Sequence, residues 1–504
     1  MSLLTTNPAR DSVTFWRQAA ADVRFRTDAW IDGQPTAALD RAVRATVNPA
    51  TGAVLAQVAD CGAADVDLAV AAARRAFADG RWARRAPRDR QTVLGRLADL
   101  ILEHADEFAL LDSLDAGKLI TDTTTSDVPG TAAILRWYAD LIDKLPDEVA
   151  PTPEGELALI RREPLGVVGA VVPWNYPLEM AMWKLAPALA MGNSVVLKPA
   201  EESPLSALRL AELAVEAGLP DGVLNVVPGS GPVTGRAIGV HPEVDVVTFT
   251  GSTPVGKLFL KYAGESNLKQ VWLECGGKSA NLVFADTADL DSAADGVIAG
   301  IFTNQGQVCS ANSRLLVERT VHDQLLALVA ERASQIVVGD PLDPATTMGP
   351  LVSARHAGRV RGYIETGRRE ASLFLGGAAV PGATSDAFVT PTVFVDVDPA
   401  ATIAREEIFG PVLAVMPFDT EEEAVTLAND SVYGLAASIW SDRLSRVHRV
   451  APRLRAGTVS VNTVDALDVG VPFGGFGQSG FGRDLSAHAV DKFTALKTTW
   501  IRHG

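Results

Sequence analysis

The sequence predicts an α/β protein built on a doubly wound, Rossmann-like parallel sheet with helices on both faces. Two observations carry that prediction. From Glu156 the run ELALIRREPLGVVGAVVPW alternates and then turns continuously apolar, as an exposed strand followed by a buried one. Beyond it short apolar strands and amphipathic helices alternate, with glycine-bearing turns after the strands.

Composition bounds the rest. With 504 residues, 47% hydrophobic and 21% charged, the chain fills more than one core and divides into about two or three domains. A net charge of −16 argues against nucleic acid as a partner, because phosphate neutralisation needs clustered Lys and Arg. Cys61, Cys275 and Cys309 form no CxxC pair, so neither a disulfide framework nor a cysteine metal site is expected, and a reducing cytoplasm fits. The opening MSLLTTNPARDSVTF has no basic-then-apolar pattern and reads as no signal peptide. Pro164 to Leu197, the most apolar region, is broken by Pro173, Pro177, Glu179 and Lys184 and does not suit a bilayer span.

In chain order, DGQP at Asp32 to Pro35 is the turn of a hairpin and NPATG at Asn48 to Gly52 a second turn. Ala63 to Phe77, Thr92 to His104, Glu107 to Leu114 and Thr131 to Leu145 have helical spacing, so the first 145 residues read as mostly helical. Trp137 and Tyr138 read as core. After the strand pair from Glu156 come a helix over Leu178 to Ala190, the strand SVVLKP, a helix over Pro204 to Ala217, the strand GVLNVVP, a helix near Val233 to Val240, the strand VDVVTFTG, and a helix after Thr253.

Three turns in this region suit a dinucleotide. VVPGSGPVTG, with Gly229, Gly231 and Gly235, follows a strand without matching GxGxxG. GSTPVGK, Gly251 to Lys257, opens a helix whose N–H groups suit a pyrophosphate; Leu258 stands where a nucleotide triphosphatase needs Ser or Thr. LKPAEESP places Lys198 and Glu201 at a strand's carboxyl end, where they suit a ribose, and the acid favours NAD over NADP. Separately, FTNQGQVCSANSR sets Cys309 on a polar, Gly-relaxed turn, and WLECGGKSAN sets Glu274 before two glycines: a nucleophile and a base, or a buried thiol and a surface acid.

PWNYP, LKPAE, FTGST, LECGGKS, NQGQVC, EEIFGPV and PFGGFGQSGFGRD, in this order and spacing, identify the chain as resembling the NAD(P)-dependent aldehyde dehydrogenases over essentially its whole length. The resemblance implies the aldehyde dehydrogenase fold, with an NAD-binding domain over 1–145 and 165–273 and an α/β catalytic domain over 274–478. It also implies a β-flap over 146–164 and 479–504 that joins a homodimer or homotetramer. It implies oxidation of an aldehyde to the acid through a thiohemiacetal and thioester on Cys309, with Glu274 as the hydrolytic base and the Asn175 amide and Cys309 N–H as oxyanion donors. Trp174, Lys198, Glu201, Gly231, Gly235, Gly251, Ser252, Glu407 and Phe409 are then expected at the cofactor, and no metal is needed.

Within the family the chain resembles dehydrogenases of γ-glutamyl-γ-aminobutyraldehyde and 4-guanidinobutyraldehyde, most of all in the tail GRDLSAHAVDKFTALKTTWI. By that resemblance Tyr176, Glu179, Met180, Trp183, Asp468 and Phe473 line the substrate tunnel, with Glu179 and Asp468 facing an amine-bearing end, and the substrate is an aminoaldehyde of polyamine breakdown. A broad aliphatic or aromatic dehydrogenase is the alternative, because Val464 and Ala466 stand where those relatives have aromatic and acidic residues. Asp484 replaces a commoner Glu, and Cys275, beside Glu274, reads as a small buried side chain or else a redox partner. A cysteine hydrolase would leave the three nucleotide turns without purpose, and a cofactor-binding protein without catalysis would leave nucleophile, base and oxyanion amide without one.

Overall fold

A computed structural model describes residues 8–503; the first seven residues of the opening stretch and Gly504 lie outside the described residues. An eight-stranded sheet holds the five parallel strands Val167–Val171, Ser194–Lys198, Leu224–Val226, Val246–Thr250 and Gln270–Glu274. The first of these is central: the second and third extend the sheet to one side, the fourth and fifth to the other. Val167–Val171, Ser194–Lys198 and Val246–Thr250 are buried along their length, because helices cover both faces and no strand position meets water.

Hairpin chemistry closes one edge. Ala29–Ile31 pairs antiparallel with Gln34–Thr36 around Asp32 and Gly33, whose φ of 53° and 79° are the two positive values a type I′ turn requires. The first 145 residues also hold the antiparallel pair Val43–Val47 and Val54–Ala59, so they are less helical than their periodicity implies. Their helices run Ala63–Ala78, Pro87–Glu103, Ala105–Ala116 and Val128–Leu141. Tyr138 is fully buried in the core these form with Pro177–Ala190.

At the opposite edge Gly480–Phe481 pairs with Leu273–Glu274, so the start of the segment assigned to the flap belongs to the large sheet. The flap itself is the three-stranded sheet of Glu148–Ala150, Glu156–Pro164 and Thr494–Arg502, on which Val149, Leu496, Trp500 and Ile501 are exposed. A seven-stranded sheet takes in Ala280–Val283, Arg314–Glu318, Val412–Phe418, Ala436–Trp440 and Thr458–Val461 in parallel. Among the described residues no helix is long and apolar enough to cross a membrane.

The two large sheets meet where Gln270–Glu274 ends and Ala280–Val283 begins. The carboxyl end of one therefore faces the amino end of the other, where the Cys309 turn leads into Arg314–Glu318. Backbone contact there is close: a Cβ on Gly277 would lie 2.5 Å from the Cys309 carbonyl oxygen, and one on Gly276 would overlap the Glu407 carboxylate. Gly277→Ala is therefore expected to destabilise the protein by about 1–3 kcal/mol, the usual cost of overpacking. Urea denaturation should show the midpoint falling at constant slope; an unchanged midpoint would mean that the two backbones do not meet this closely.

Candidate active site

Helix Leu290–Phe302 ends in a turn whose next residues, Asn304, Gln305 and Gly306, take φ of 48°, 58° and 72°. Two non-glycine residues in the left-handed region cost roughly 1 kcal/mol or more each, so hydrogen bonds must hold them. Lys118 Nζ donates to Asn304 Oδ1 at 3.1 Å and to the Asn175 carbonyl at 3.2 Å. Asn304 Nδ2 donates to that same carbonyl at 2.9 Å, Asn175 Nδ2 to the Gln307 carbonyl at 2.8 Å, and the Val352 N–H to Gln307 Oε1 at 2.9 Å. Three separate chain segments, around Lys118, Asn175 and Val352, thus fix the turn that presents Cys309.

Lys118 is buried, pairs with Asp127 at 3.1 Å, and sits 3.6 Å from the Tyr176 ring centroid. The sequence reading missed it, since a lysine 191 positions from Cys309 leaves no local pattern. Asn175 spends one amide hydrogen on Gln307 and keeps the other. The Cys309 N–H makes no hydrogen bond among the described residues, so both expected oxyanion donors are available. Burial pushes the Cys309 thiol well above its usual range, and the charges of Glu274, Asp465 and Glu407 push the same way.

Cys309 and Asn175 line one cleft of about 580 Å³ together with Trp174, Lys198, Glu201, Gly251, Ser252, Glu407 and Phe409. It opens between Val167–Val171 and Val246–Thr250, where the strand order reverses, the place a doubly wound sheet leaves for a ligand. Glu201 Oε1 accepts from the Gly231 N–H at 2.5 Å, and Gly235 lies against the Lys198 stem, so both glycines back these two side chains instead of lining the cleft. Burial lowers the Lys198 ammonium to about 8. Ser252 is the N-cap of Thr253–Gly264 and its hydroxyl caps nothing, which leaves a helix N-terminus facing the cleft. Acid for a ribose, N–H groups for phosphates and an aromatic wall together form a donor set that fits a dinucleotide.

The far wall joins three rings. Phe409, with φ of 60°, lies edge-on to Trp174 at 5.2 Å between centroids, and His356 to Trp174 at 5.3 Å. His356 Nε2 donates to the Phe409 carbonyl at 2.7 Å, and burial lowers the ring to about 4, so it is a neutral donor that holds Phe409 in its unusual backbone. Glu407 accepts from the Gly277 N–H at 3.0 Å, and burial raises its carboxyl to about 7. The sequence reading also missed His356, although SARH shortly after MGPLV gave no motif to find it by.

Glu274 does not line this cleft. Its side chain faces a small chamber with Lys184, Asp484 and Lys492, and its Oε1 has no hydrogen-bond partner. Burial, then the Asp484 charge, raises its carboxyl to about 8, with Lys184, Lys492 and Arg483 opposing. Cys275 lies against Gly256, on the side of Thr253–Gly264, and is buried.

Of the expected tunnel residues, Met180 lines the cleft, while Trp183 and Phe473 stack edge to face at 5.3 Å. Tyr176 and Glu179 are half-buried beside them; burial, then the Asp127 charge, raises Glu179 to about 8, and Trp183 Nε1 donates to it at 3.3 Å. Asp468 is a correction: it is exposed, and its carboxylate closes a turn on the Gly470 N–H at 2.7 Å. Asp465, in the same loop and with φ of 46°, is exposed as well, but its charge reaches Cys309, Tyr176 and Glu179.

Comparison with known proteins gives the family. Residues 37–499 match the profile of the aldehyde dehydrogenase family. The NADP/NAD-dependent aldehyde dehydrogenase PuuC of Escherichia coli K12 is 53% identical over 489 residues, 97% of this chain and 98% of its own. The solved γ-glutamyl-γ-aminobutyraldehyde dehydrogenase of Burkholderia cenocepacia superposes with a TM-score of 0.96 at 53% identity, covering 98% of this chain and 100% of its own. The P. syringae indole-3-acetaldehyde dehydrogenase AldA, a mutant in complex with NAD+ and IAA, gives 0.96 at 51% identity, covering 97% and 99%.

Replacing Lys118 by Met would leave Asp127 buried without its cation and Asn304 without a donor. Breaking such a buried pair costs about 3–5 kcal/mol. Denaturant unfolding of Lys118→Met should show that loss, along with slower alkylation of Cys309. A variant as stable as the parent would show that Lys118 does not hold the turn.

Proposed function

The chain belongs to the aldehyde dehydrogenase family, and on that premise we propose that Cys309, Asn175 and Glu274 oxidise aldehydes with a cationic or amine-bearing end. One observation carries the proposal: a partly exposed thiol, an amide with a spare N–H and a dinucleotide-shaped cleft share one wall. Cys309 gives up its thiol proton and its Sγ, as thiolate, bonds the aldehyde carbon while the C=O π pair moves onto oxygen, whose charge the Asn175 amide and Cys309 N–H steady, each by roughly 3 kcal/mol. NAD bound in the cleft supplies the hydride acceptor. Lys198 and Glu201 hold its adenosine ribose, Ser252 and the helix behind it its phosphates, and Glu407 and Phe409 its nicotinamide end. Glu201 repels a 2′-phosphate, so NAD is preferred and NADP accepted less well. Glu274 then takes a proton from the water that releases the acyl group from Cys309.

Substrate choice rests on charge. The charges of Asp127 and Asp465 act on Glu179 beside the site, with Lys118, which pairs with Asp127, as the opposing cation. Burial lifts these carboxyls, and a cationic substrate end would restore their ionised forms. The edge-stacked Trp183 and Phe473 give an apolar stem somewhere to lie. ω-Amino, guanidino and γ-glutamylamino four-carbon aldehydes satisfy both demands, and the last of these is in line with the name of the Burkholderia structure. The same two rings favour an indole or benzyl aldehyde as the second reading, in line with the P. syringae neighbour. We place the enzyme in the cytoplasm as a homodimer or homotetramer, because its cysteines are free and Leu496, Trp500 and Ile501 leave an apolar flap surface exposed.

Cys309→Ala should bind NAD yet give under about 1% of the parent's aldehyde-dependent NADH, a loss of at least ~3 kcal/mol in the barrier. Glu274→Gln should release about one NADH per site in a burst and then stall. A base must be ionised to accept a proton, so a Glu274 carboxyl near 8 makes steady-state turnover rise with pH up to about 8 and fall below it. An acid limb near the ordinary carboxylate range would move the base elsewhere. For the substrate, kcat/KM for 4-aminobutanal over butanal should exceed about ten and collapse in Asp465→Asn combined with Glu179→Gln. Equal values for butanal or benzaldehyde in the parent would favour the second reading.

A further inference from the structure

A small cavity next to the Gly276–Gly277 junction takes no part in the chemistry proposed above. It lies at the amino ends of Ala280–Val283, Arg314–Glu318 and Ala436–Trp440 and holds about 20 Å³, room for about one or two waters. Lys278, Arg314 and Arg455 line it, and among the described residues no carboxylate does. In a chain carrying a net charge of −16, cations gathered without an acid call for a reason. The cofactor cleft, the Glu274 chamber and the open pocket beside His488 and Asp491 each include at least one acid in their walls. Arg314 is provided for: its Nε and both terminal nitrogens donate to the carbonyls of Lys278, Leu427 and Ala428 at 2.9, 2.9 and 2.8 Å, at the end of helix Glu421–Asn429. Lys278 and Ser279 are not. Both are buried, and neither the Lys278 ammonium nor the Ser279 hydroxyl has a hydrogen-bond partner among the described residues. Arg455, exposed at the rim, gives only its backbone N–H, to Asn429 Oδ1 at 2.8 Å.

We propose that this cavity binds one small monovalent anion of the size of chloride, which accepts hydrogen bonds from Lys278 Nζ and Ser279 Oγ and faces the Arg455 guanidinium. The acids whose charge reaches Lys278 cannot serve instead, because each is bonded elsewhere: Glu406 accepts from the Tyr363 hydroxyl at 2.7 Å and Glu407 from the Gly277 N–H at 3.0 Å. Asn429 has no amide group to spare on Lys278 either, since its Nδ2 donates to the Arg453 carbonyl at 2.8 Å and its Oδ1 is taken by Arg455. Burial, then repulsion from Arg314, lowers the Lys278 ammonium to about 7, as a buried cation without a counter-charge should be lowered. A water in the cavity would accept from Lys278 and leave that charge unpaired; an anion meets both needs. The small volume selects a halide over a polyatomic oxyanion. Entry is by way of Arg455, whose exposed guanidinium draws anions to the rim. Lys278 directly follows Gly277 and its carbonyl holds Arg314, so a bound anion would neutralise the cation at the join between the two large sheets and strengthen that join. The site is independent of the aldehyde chemistry, and its test reads stability and diffraction instead of turnover.

Thermal unfolding of the whole protein in sodium chloride and in sodium gluconate at equal ionic strength tests this, because general screening is then the same in both. The midpoint should climb with chloride to a plateau about 2 °C or more above that in gluconate, and bromide should reproduce the gain. Lys278→Met should abolish the gain. A parent midpoint no higher in chloride than in gluconate overturns the proposal, and so does a gain that survives in full in Lys278→Met, which would place the anion elsewhere. If Lys278→Met does not fold, Arg455→Gln, a change at an exposed side chain, decides: the gain should fall by at least half, and an unchanged gain overturns the site. Crystals of the parent grown in bromide give the direct reading. An anomalous peak in contact with Lys278 Nζ and Ser279 Oγ is the expected result; a cavity that holds only water in bromide overturns it.

Discussion

The contact on which this architecture depends is the one made by Gly276 and Gly277. Two parallel sheets are joined end to end by five residues, Cys275 to Ser279, and the join has to admit the Cys309 backbone on one side and the Glu407 carboxylate on the other. Only a stretch without side chains leaves room for both. The Gly277 N–H then hydrogen-bonds Glu407, and Arg314 Nε reaches back to the Lys278 carbonyl at 2.9 Å, so the junction locks the second sheet onto the first. Ser479 secures it from a third side: the Cys275 N–H donates to its carbonyl at 2.8 Å and its hydroxyl donates to the Gly276 carbonyl at 2.7 Å.

Around that junction charge is arranged in two clusters of opposite balance. Behind Glu274, Lys184, Lys492 and Arg483 outnumber the acids, and in front Glu179, Asp465 and Asp127 outnumber Lys118. Burial is the first cause of the shifts in both, and it acts against charge of either sign, so each cluster is held short of full ionisation until something pairs with it. The Cys309 thiol is kept protonated first by its burial and then by the charges of Glu274, Asp465 and Glu407. Positive charge arriving in the cleft or tunnel therefore works in one direction, toward the thiolate.

The wall in front of the thiol is tied to the charged cluster behind Glu274. Trp183 and Phe473 offer flat apolar surface, and Phe473 exchanges backbone hydrogen bonds with Asp484, so the tunnel wall and the rear cluster are parts of one rigid piece.

The sequence alone determined the parallel sheet, its order of strand and helix, the turn carrying Cys309 and the acid before the glycines. These are local facts: continuous apolar runs, glycines after strands and a polar turn are written within a few residues of one another. Residues that meet from distant parts of the chain were not legible there. Lys118, His356 and Lys492 reach the site from other segments and bear no pattern that names their partners. Asp465 and Asp468 stand three positions apart in one loop, and nothing in their composition separates them. What separates them is where the folded loop leaves each charge: that of Asp465 reaches Cys309, while Asp468 closes its own turn on the Gly470 N–H, and only the packing of distant segments around the loop decides which acid lies within reach of the thiol.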